Sequence, residues 1–189
     1  MAEQAKTKSG WSVREMTLIA VMAAVTCVLG PLSVPIGVVP ISLTNLAVYF
    51  AVYILGTKRG TLSCLVYLLI GLAGVPVFSG FTGGAGKLLG PTGGYLIGFA
   101  FMALICGILI DRSHHNFVIG MAGMILGTIV CYAFGTVWLA YQAGMTMGAA
   151  LAAGVLPFIP GDLAKMVVAA VVAPQVRRRL AKAKVCTEA

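Results

Sequence analysis

Six apolar stretches follow one another along this chain of 189 residues, and each is bounded by polar residues or by glycine and proline. A helix needs roughly 20 apolar residues to cross a bilayer core, and interrupted spans can be shorter. The pattern therefore predicts an all-α integral membrane protein, folded as a single membrane domain with six transmembrane helices. The expected spans are residues 15–30, 42–56, 60–75, 93–110, 116–142 and 157–176.

Composition agrees with this fold class, since 60% of the residues are apolar and only 10% are charged. Such values exclude a water-soluble domain and an intrinsically disordered chain. The net charge of +8 does not indicate nucleic-acid binding, because the basic residues lie almost entirely outside the apolar stretches. A further apolar piece, residues 145–155, is too short to span and is interpreted as an interfacial helix or a connection at membrane depth.

The distribution of lysine and arginine predicts the orientation in the cell membrane. Six spans place eleven basic residues on the side of both termini, whereas only Lys87 falls in the opposite loops and Lys165 lies within the sixth span. Cytoplasmic loops carry such an excess of positive charge. We therefore expect residues 1–13 to form a cytoplasmic tail and residues 177–189 a basic cytoplasmic tail.

This topology gathers three glycine- and proline-rich segments on the outer side, at residues 31–40, 74–94 and 157–165. An apolar outer face of this kind suits a pocket for a small, partly apolar solute. The first segment carries four apolar residues that are unfavourable on an open surface, namely Val34, Ile36, Val38 and Val39. We expect this segment to act as a gate over the pocket, with a static plug on the helix ends as the alternative.

Asp162 is the acidic residue that stands out, because the other four acidic residues flank spans or lie in the tails. An ionisable group at membrane depth is costly unless paired, so it indicates a functional site. Lys165 follows three residues later on the same helical face. A structural Asp–Lys pair, with Asp162 capping its helix, is the alternative. Asn45, beside Thr44, offers two donors and an acceptor, for a ligand or for a neighbouring helix.

The chain carries no recognisable catalytic apparatus, cofactor motif or metal-ligand spacing. The segment Gly84–Lys87 is similar to a phosphate-binding loop, but that motif requires glycine at position 81 and serine or threonine at 88, where Phe81 and Leu88 stand. ATP-driven transport would therefore need another subunit to supply the energy. Small residues recur at a spacing of four, which favours close helix packing. The pairs are Ala20/Ala24, Gly90/Gly94, Gly94/Gly98 and Gly123/Gly127.

Three stretches resemble the signature segments of the BioY family, the biotin-specific substrate-binding subunits (S components) of energy-coupling factor (ECF) transporters. They are Gly74–Phe78, Gly90–Leu96 and Pro157–Lys165. The resemblance implies a six-helix S-component fold, biotin as the transported ligand, and a complex with a transmembrane coupling subunit and two ABC-type ATPases. It also implies that Ala20 and Ala24, in an alanine-x-x-x-alanine element, contact the coupling subunit.

The resemblance further implies roles for residues at the outer face. Asp162 accepts a ureido N–H of biotin, Asn45 or Thr44 donates to the ureido carbonyl, and Lys165 or Lys87 pairs with the carboxylate. The remaining expected binding residues enclose the bicycle or let the backbone approach it, namely Phe78, Gly80, Phe81, Gly83, Thr92, Gly93 and Tyr95. An S component for thiamine or riboflavin, or an autonomous ion-coupled carrier, remains the alternative function.

Overall fold

The computed structural model describes residues 11–36, 38–112 and 116–183. The tail expectations for residues 1–10 and 184–189 lie outside the described residues. Eight helices and one two-stranded hairpin make up the described part: α1 Val13–Leu29, β1 Ser33–Pro35, β2 Pro40–Ser42, α2 Thr44–Leu55, α3 Thr57–Leu72, α4 Ala85–Leu89, α5 Gly93–Arg112, α6 Phe117–Ala143, α7 Met147–Gly154 and α8 Ile159–Lys182.

The six long helices coincide with the six apolar stretches of the sequence. Within the described residues, α5, α6 and α8 are each long and apolar enough to cross a membrane, and α2 is a shorter apolar helix. Most helix ends lie one to three residues from the expected bounds, and the end of α8 lies six residues beyond its bound. Helix α3 begins at Thr57 rather than Gly60, because Asp111 at the end of α5 accepts hydrogen bonds from Thr57 N at 2.8 Å and Thr57 Oγ1 at 2.5 Å. Helix α8 continues through its arginines to Lys182.

Local side chains define several other helix ends. Ser12 and Glu15 form a reciprocal capping box at the start of α1, and Glu15 also pairs with Arg59 of α3. Asn116 caps α6, which ends at Gly144 in the left-handed conformation with φ of 62°. Each of these devices satisfies backbone groups that the helix itself leaves unpaired.

Helices α5 and α6 pack closely through the small residues that the sequence spacing singled out. A Cβ atom at Gly94 would lie 2.7 Å from the Phe134 carbonyl oxygen, and one at Gly98 would lie 3.0 Å from Cys131 Cα. From the other side, a Cβ at Gly127 would lie 2.6 Å from Cys106 Sγ. These approaches confirm the expected close helix packing at Gly94, Gly98 and Gly127. Ala20 and Ala24, by contrast, are exposed on α1.

The outer surface of the helices is strongly apolar, as in a protein embedded in lipid. Large exposed apolar side chains occur on α1, α3, α5, α6 and α8, whereas α2 is almost entirely buried. Examples are Val25, Leu69, Phe101, Ile129 and Val171. The interior instead holds tyrosines of α2 and α3, among them Tyr49 and Tyr67, which are fully buried. The expected interfacial piece is helix α7, whose Ala150 is fully buried in the same core as α6 and α8.

Candidate functional site

A cleft opens where the hairpin β1–β2 and the start of α2 meet α5, α6 and α8. Its empty space, counted together with the solvent at its open mouth, is about 580 Å³. It is lined by Val39, Pro40, Ser42, Thr44, Asn45, Ser79, Thr92, Tyr95, Leu96, Phe99, Tyr132, Gly154, Phe158, Asp162 and Lys165.

Asp162 and Lys165 form a buried ion pair in this cleft, and we call them the floor pair. Both lie in the first two turns of α8, three residues apart, so their side chains share one helical face. Lys165 Nζ lies 3.0 Å from Asp162 Oδ1, and the two side chains are only 12% and 8% exposed. Two charges so poorly solvated are stable only when each is paired and hydrogen-bonded.

The end of strand β2 and the start of helix α2 supply the neighbouring polar groups. Lys165 Nζ donates to the Ser42 carbonyl oxygen at 2.7 Å and to Asn45 Oδ1 at 3.2 Å. Thr44, which is 1% exposed, accepts a hydrogen bond from Ser42 Oγ at 3.0 Å. The expected inter-helix role of Asn45 is therefore present in the structure, alongside a position on the cleft wall.

Tyr132 of α6 is a cleft residue that sequence reasoning missed. Its hydroxyl donates to Asp162 Oδ2 at 2.6 Å. A tyrosine within an apolar span is more often a packing or interface residue than a ligand contact. The sequence gives little indication that Tyr132 lines a site, because nothing in the local pattern shows that this face of α6 meets α8.

The walls above the floor pair are mainly apolar. Val39 and Pro40 come from the hairpin, and Leu96, Phe99 and Phe158 come from the helices. Val39 is 7% exposed, whereas Val34 is 61% exposed, so the hairpin turns one apolar residue inward and leaves another outside. Tyr95, also in the wall, donates through its hydroxyl to the Gly154 carbonyl oxygen at 3.0 Å.

The structure brings half of the expected binding residues together around this cleft. The residues that line it are Thr44, Asn45, Thr92, Tyr95, Asp162 and Lys165. The other expected binding residues are not among the lining residues: Phe78, Gly80, Phe81, Gly83, Lys87 and Gly93. Ser79, a residue of the second outer segment that is not among the expected binding residues, also lines the cleft.

The residues outside the cleft have other contacts. Phe78 is fully buried and packs edge-on against Tyr67, with ring centroids 5.6 Å apart. Gly93 lies against the Leu88 carbonyl group so closely that a Cβ would overlap it. Phe81 is 68% exposed and has a positive φ of 55°. Lys87 lies on α4, half-buried.

The side chains of the cleft are suited to binding a ligand. Among the described residues no group of three or more histidine, cysteine or acidic side chains is placed to hold a metal ion. The floor pair and its neighbours offer carboxylate, amide and hydroxyl oxygens beneath apolar walls, an arrangement that orients a ligand with both polar and apolar parts.

The sequence of this chain is similar to those of one known protein family. The model of the BioY family matches residues 2–182. The "Biotin transporter BioY" of Rhizobium etli is 39% identical, over 84% of this chain and 90% of that protein. That of Thermotoga maritima is 36% identical, over 88% of this chain and 97% of that protein.

A solved structure extends the similarity to three dimensions. The crystal structure of "the S-component for biotin from an ECF-type ABC transporter" superposes with a TM-score of 0.82 and 33% sequence identity, and the match covers 94% of this chain and 95% of that one. The fold is therefore the mostly helical S-component fold, in a multi-pass membrane protein. A family match over almost the whole chain leads to one conclusion: this chain belongs to the BioY family, a family of transporter subunits and not of enzymes.

Proposed function

We propose that this protein binds biotin with high affinity and serves as the substrate-specific subunit of an ECF-type importer. The observation that carries the proposal is the floor pair, a nearly buried carboxylate and ammonium at the base of a mainly apolar cleft. Biotin has matching parts, since its ureido group is polar, its thioether ring is apolar and its tail ends in a carboxylate. The similarity to biotin transporters and to a biotin S component supports the same ligand.

In this proposal the ureido group faces the floor pair, where Asp162 accepts an N–H and Asn45 or Thr44 contacts the carbonyl. Tyr95 and Thr92 contribute to the wall. Five expected binding residues of the second outer segment lie outside the cleft in this structure. We propose that they contribute to biotin binding through the shape of that segment: Phe78, Gly80, Phe81, Gly83 and Gly93.

The biotin carboxylate is proposed to pair with Lys87 rather than Lys165. Lys165 Nζ has three N–H donors, and Ser42, Asn45 and Asp162 all lie within hydrogen-bond distance of them. A ligand carboxylate would have to displace these partners. Lys87 lies in the same outer segment as Ser79 and Thr92, two residues that line the cleft.

Transport requires partners, which we propose to be a transmembrane coupling subunit and two ABC ATPases. The chain has no nucleotide-hydrolysis motif of its own, so the energy must come from elsewhere. Ala20 and Ala24 are exposed one turn apart on α1 and form a narrow stripe where another helix can approach closely. We propose this alanine stripe as the docking surface for the coupling subunit.

The proposed topology has six spans with both termini in the cytoplasm. The excess of lysine and arginine on that side supports it. Helices α1, α2 and α3 are short, at 17, 12 and 16 residues, so they span only with help from flanking residues or local thinning of the bilayer. No cofactor or nucleic-acid partner forms part of this proposal.

Two measurements test the function against its alternatives. Titration of the detergent-purified protein with biotin, thiamine and riboflavin should give saturable binding of biotin alone; saturable binding of another vitamin instead would identify a sister S component. Uptake of labelled biotin should require the co-expressed coupling subunit and active ATPases. Uptake that is abolished by a proton uncoupler but unaffected by inactive ATPases would identify an autonomous carrier.

A further inference from the structure

Tyr132 holds the floor pair from a second helix. Its hydroxyl, on α6, donates to Asp162 Oδ2 at 2.6 Å, while Lys165 donates to the other oxygen, Oδ1, at 3.0 Å. The terminal torsion of an aspartate is otherwise broad. Because donors from α6 and α8 engage its two oxygens, the carboxylate of Asp162 has one fixed orientation.

The same contacts occupy the N–H and O–H donors of Lys165 and Tyr132 and leave hydrogen-bond acceptors available to a ligand at the floor of the cleft. The three N–H groups of Lys165 point to Ser42, Asn45 and Asp162, and the single O–H of Tyr132 points to Asp162. A carboxylate has about four lone-pair sites and a phenol oxygen retains acceptor capacity after it donates. Asp162 and Tyr132 can therefore still accept hydrogen bonds, so the floor is complementary to a ligand ring that carries N–H donors.

We infer that Tyr132 is a positioning residue that fixes the Asp162 carboxylate toward a ligand N–H and thereby makes the site selective for ring N–H donors. This inference rests on the proposed biotin binding, and it adds a residue and a basis for selectivity. Tyr132 is half-buried and lines the cleft, as this role requires. Without its hydroxyl, the carboxylate keeps its charge and its lysine but loses the donor that orients Oδ2.

A purely structural role for Tyr132 gives a different outcome. If the hydroxyl only ties α6 to α8, its removal lowers the affinity for every ligand by the same factor. If it orients Asp162, its removal affects ligands according to their N–H donors. The ratio of two affinities in one variant therefore separates the roles, and a general loss of stability does not change that ratio.

The test uses the full chain in detergent, with Tyr132→Phe, and titrates biotin and the two biotin derivatives that carry a methyl group on one ureido nitrogen. The wild type should bind biotin and discriminate against at least one derivative. Tyr132→Phe should weaken biotin binding by about tenfold, the loss expected for a hydrogen bond to a charged group. It should weaken binding of the disfavoured derivative much less, so the discrimination ratio should fall by about fivefold or more.

Two tyrosine variants serve as controls. Tyr95→Phe removes another cleft hydroxyl, the one that donates to Gly154, and any loss of affinity it causes should be the same for all three ligands, so that the discrimination ratio stays as in the wild type. Tyr141→Phe lies on the same helix as Tyr132 but is 86% exposed, so it should bind like the wild type. A wild-type ratio in a Tyr132→Phe protein that binds biotin overturns the inference, whereas a wild-type chain that does not bind biotin overturns the proposed function itself.

Discussion

Lys165 Nζ lies 3.0 Å from Asp162 Oδ1 and 2.7 Å from the carbonyl oxygen of Ser42, which precedes α2 by two residues. One side chain therefore pairs with the carboxylate of its own helix and also binds an element 123 positions away in sequence. The floor pair has two roles in consequence: it shapes the ligand site and it joins α8 to the start of α2.

Replacing Lys165 with methionine should lower both stability and biotin affinity. The substitution leaves the buried Asp162 without its cation, and breaking a buried pair in this way typically costs about 3 kcal/mol or more. Thermal unfolding of the detergent-purified protein should show a clear fall in apparent Tm. Lys182→Met, an exposed change on the same helix, should leave Tm unchanged. Adding Asp162→Asn to Lys165→Met should recover part of the loss, and a wild-type Tm in the single variant would show that the pair is not buried as described.

Replacing Lys87 with methionine should weaken binding of biotin by about fivefold, as expected for a partly solvated ion pair worth about 1 kcal/mol. Binding of the uncharged biotin methyl ester should not change, because that ligand has no carboxylate to pair. Lys58→Met, on the exposed start of α3, provides the matched control. Equal weakening of both ligands by Lys87→Met would assign this lysine a role in loop structure instead.

Some residues of the site and some helix ends can be predicted from the sequence, and others cannot. Asp162 could be found because a carboxylate in an apolar stretch is costly and therefore conspicuous. Tyr132 could not, since its partner lies 30 positions away on another helix. Phe78 was expected to enclose the ligand but packs against Tyr67, because an irregular segment has no periodicity that shows which way a side chain points. The start of α3 at Thr57 depends on Asp111, 54 residues distant, and local patterns carry no such information.

Tryptophan at Ala24 should leave biotin binding intact and prevent stable association with the coupling subunit. Ala24 is exposed on the alanine stripe, and a bulky side chain there keeps two helix backbones apart. Co-purification of the coupling subunit checks this. Ile129→Trp, a comparable change at a 55% exposed apolar site on α6, should co-purify normally. An intact complex with Ala24→Trp would move the docking surface elsewhere.

The hairpin β1–β2 should close over the cleft when biotin binds. Val39 and Pro40 line the cleft, and the prolines of this segment limit its freedom before binding, which reduces the entropy cost of closure. Gly37 lies outside the described residues, so we place the label at Val34→Cys, which is 61% exposed in β1. A spin label there, in a background without native cysteines, should become less mobile with biotin.

A label at Met147→Cys on α7 controls for global effects, because this residue is exposed and not among those that line the cleft. Its spectrum should not change with biotin. Identical spectra at Val34→Cys with and without saturating biotin would leave the hairpin as a static plug.

The central claim is that the buried carboxylate of Asp162 binds the ligand, and isothermal titration of biotin into wild-type and Asp162→Asn protein tests it most directly. Asparagine keeps the size of the side chain but removes the charge-assisted acceptor, a loss of about 1–3 kcal/mol. We predict tight binding to the wild type and binding weakened by about tenfold or more in a variant that remains folded. A folded Asp162→Asn protein that binds biotin as tightly as the wild type would contradict the claim.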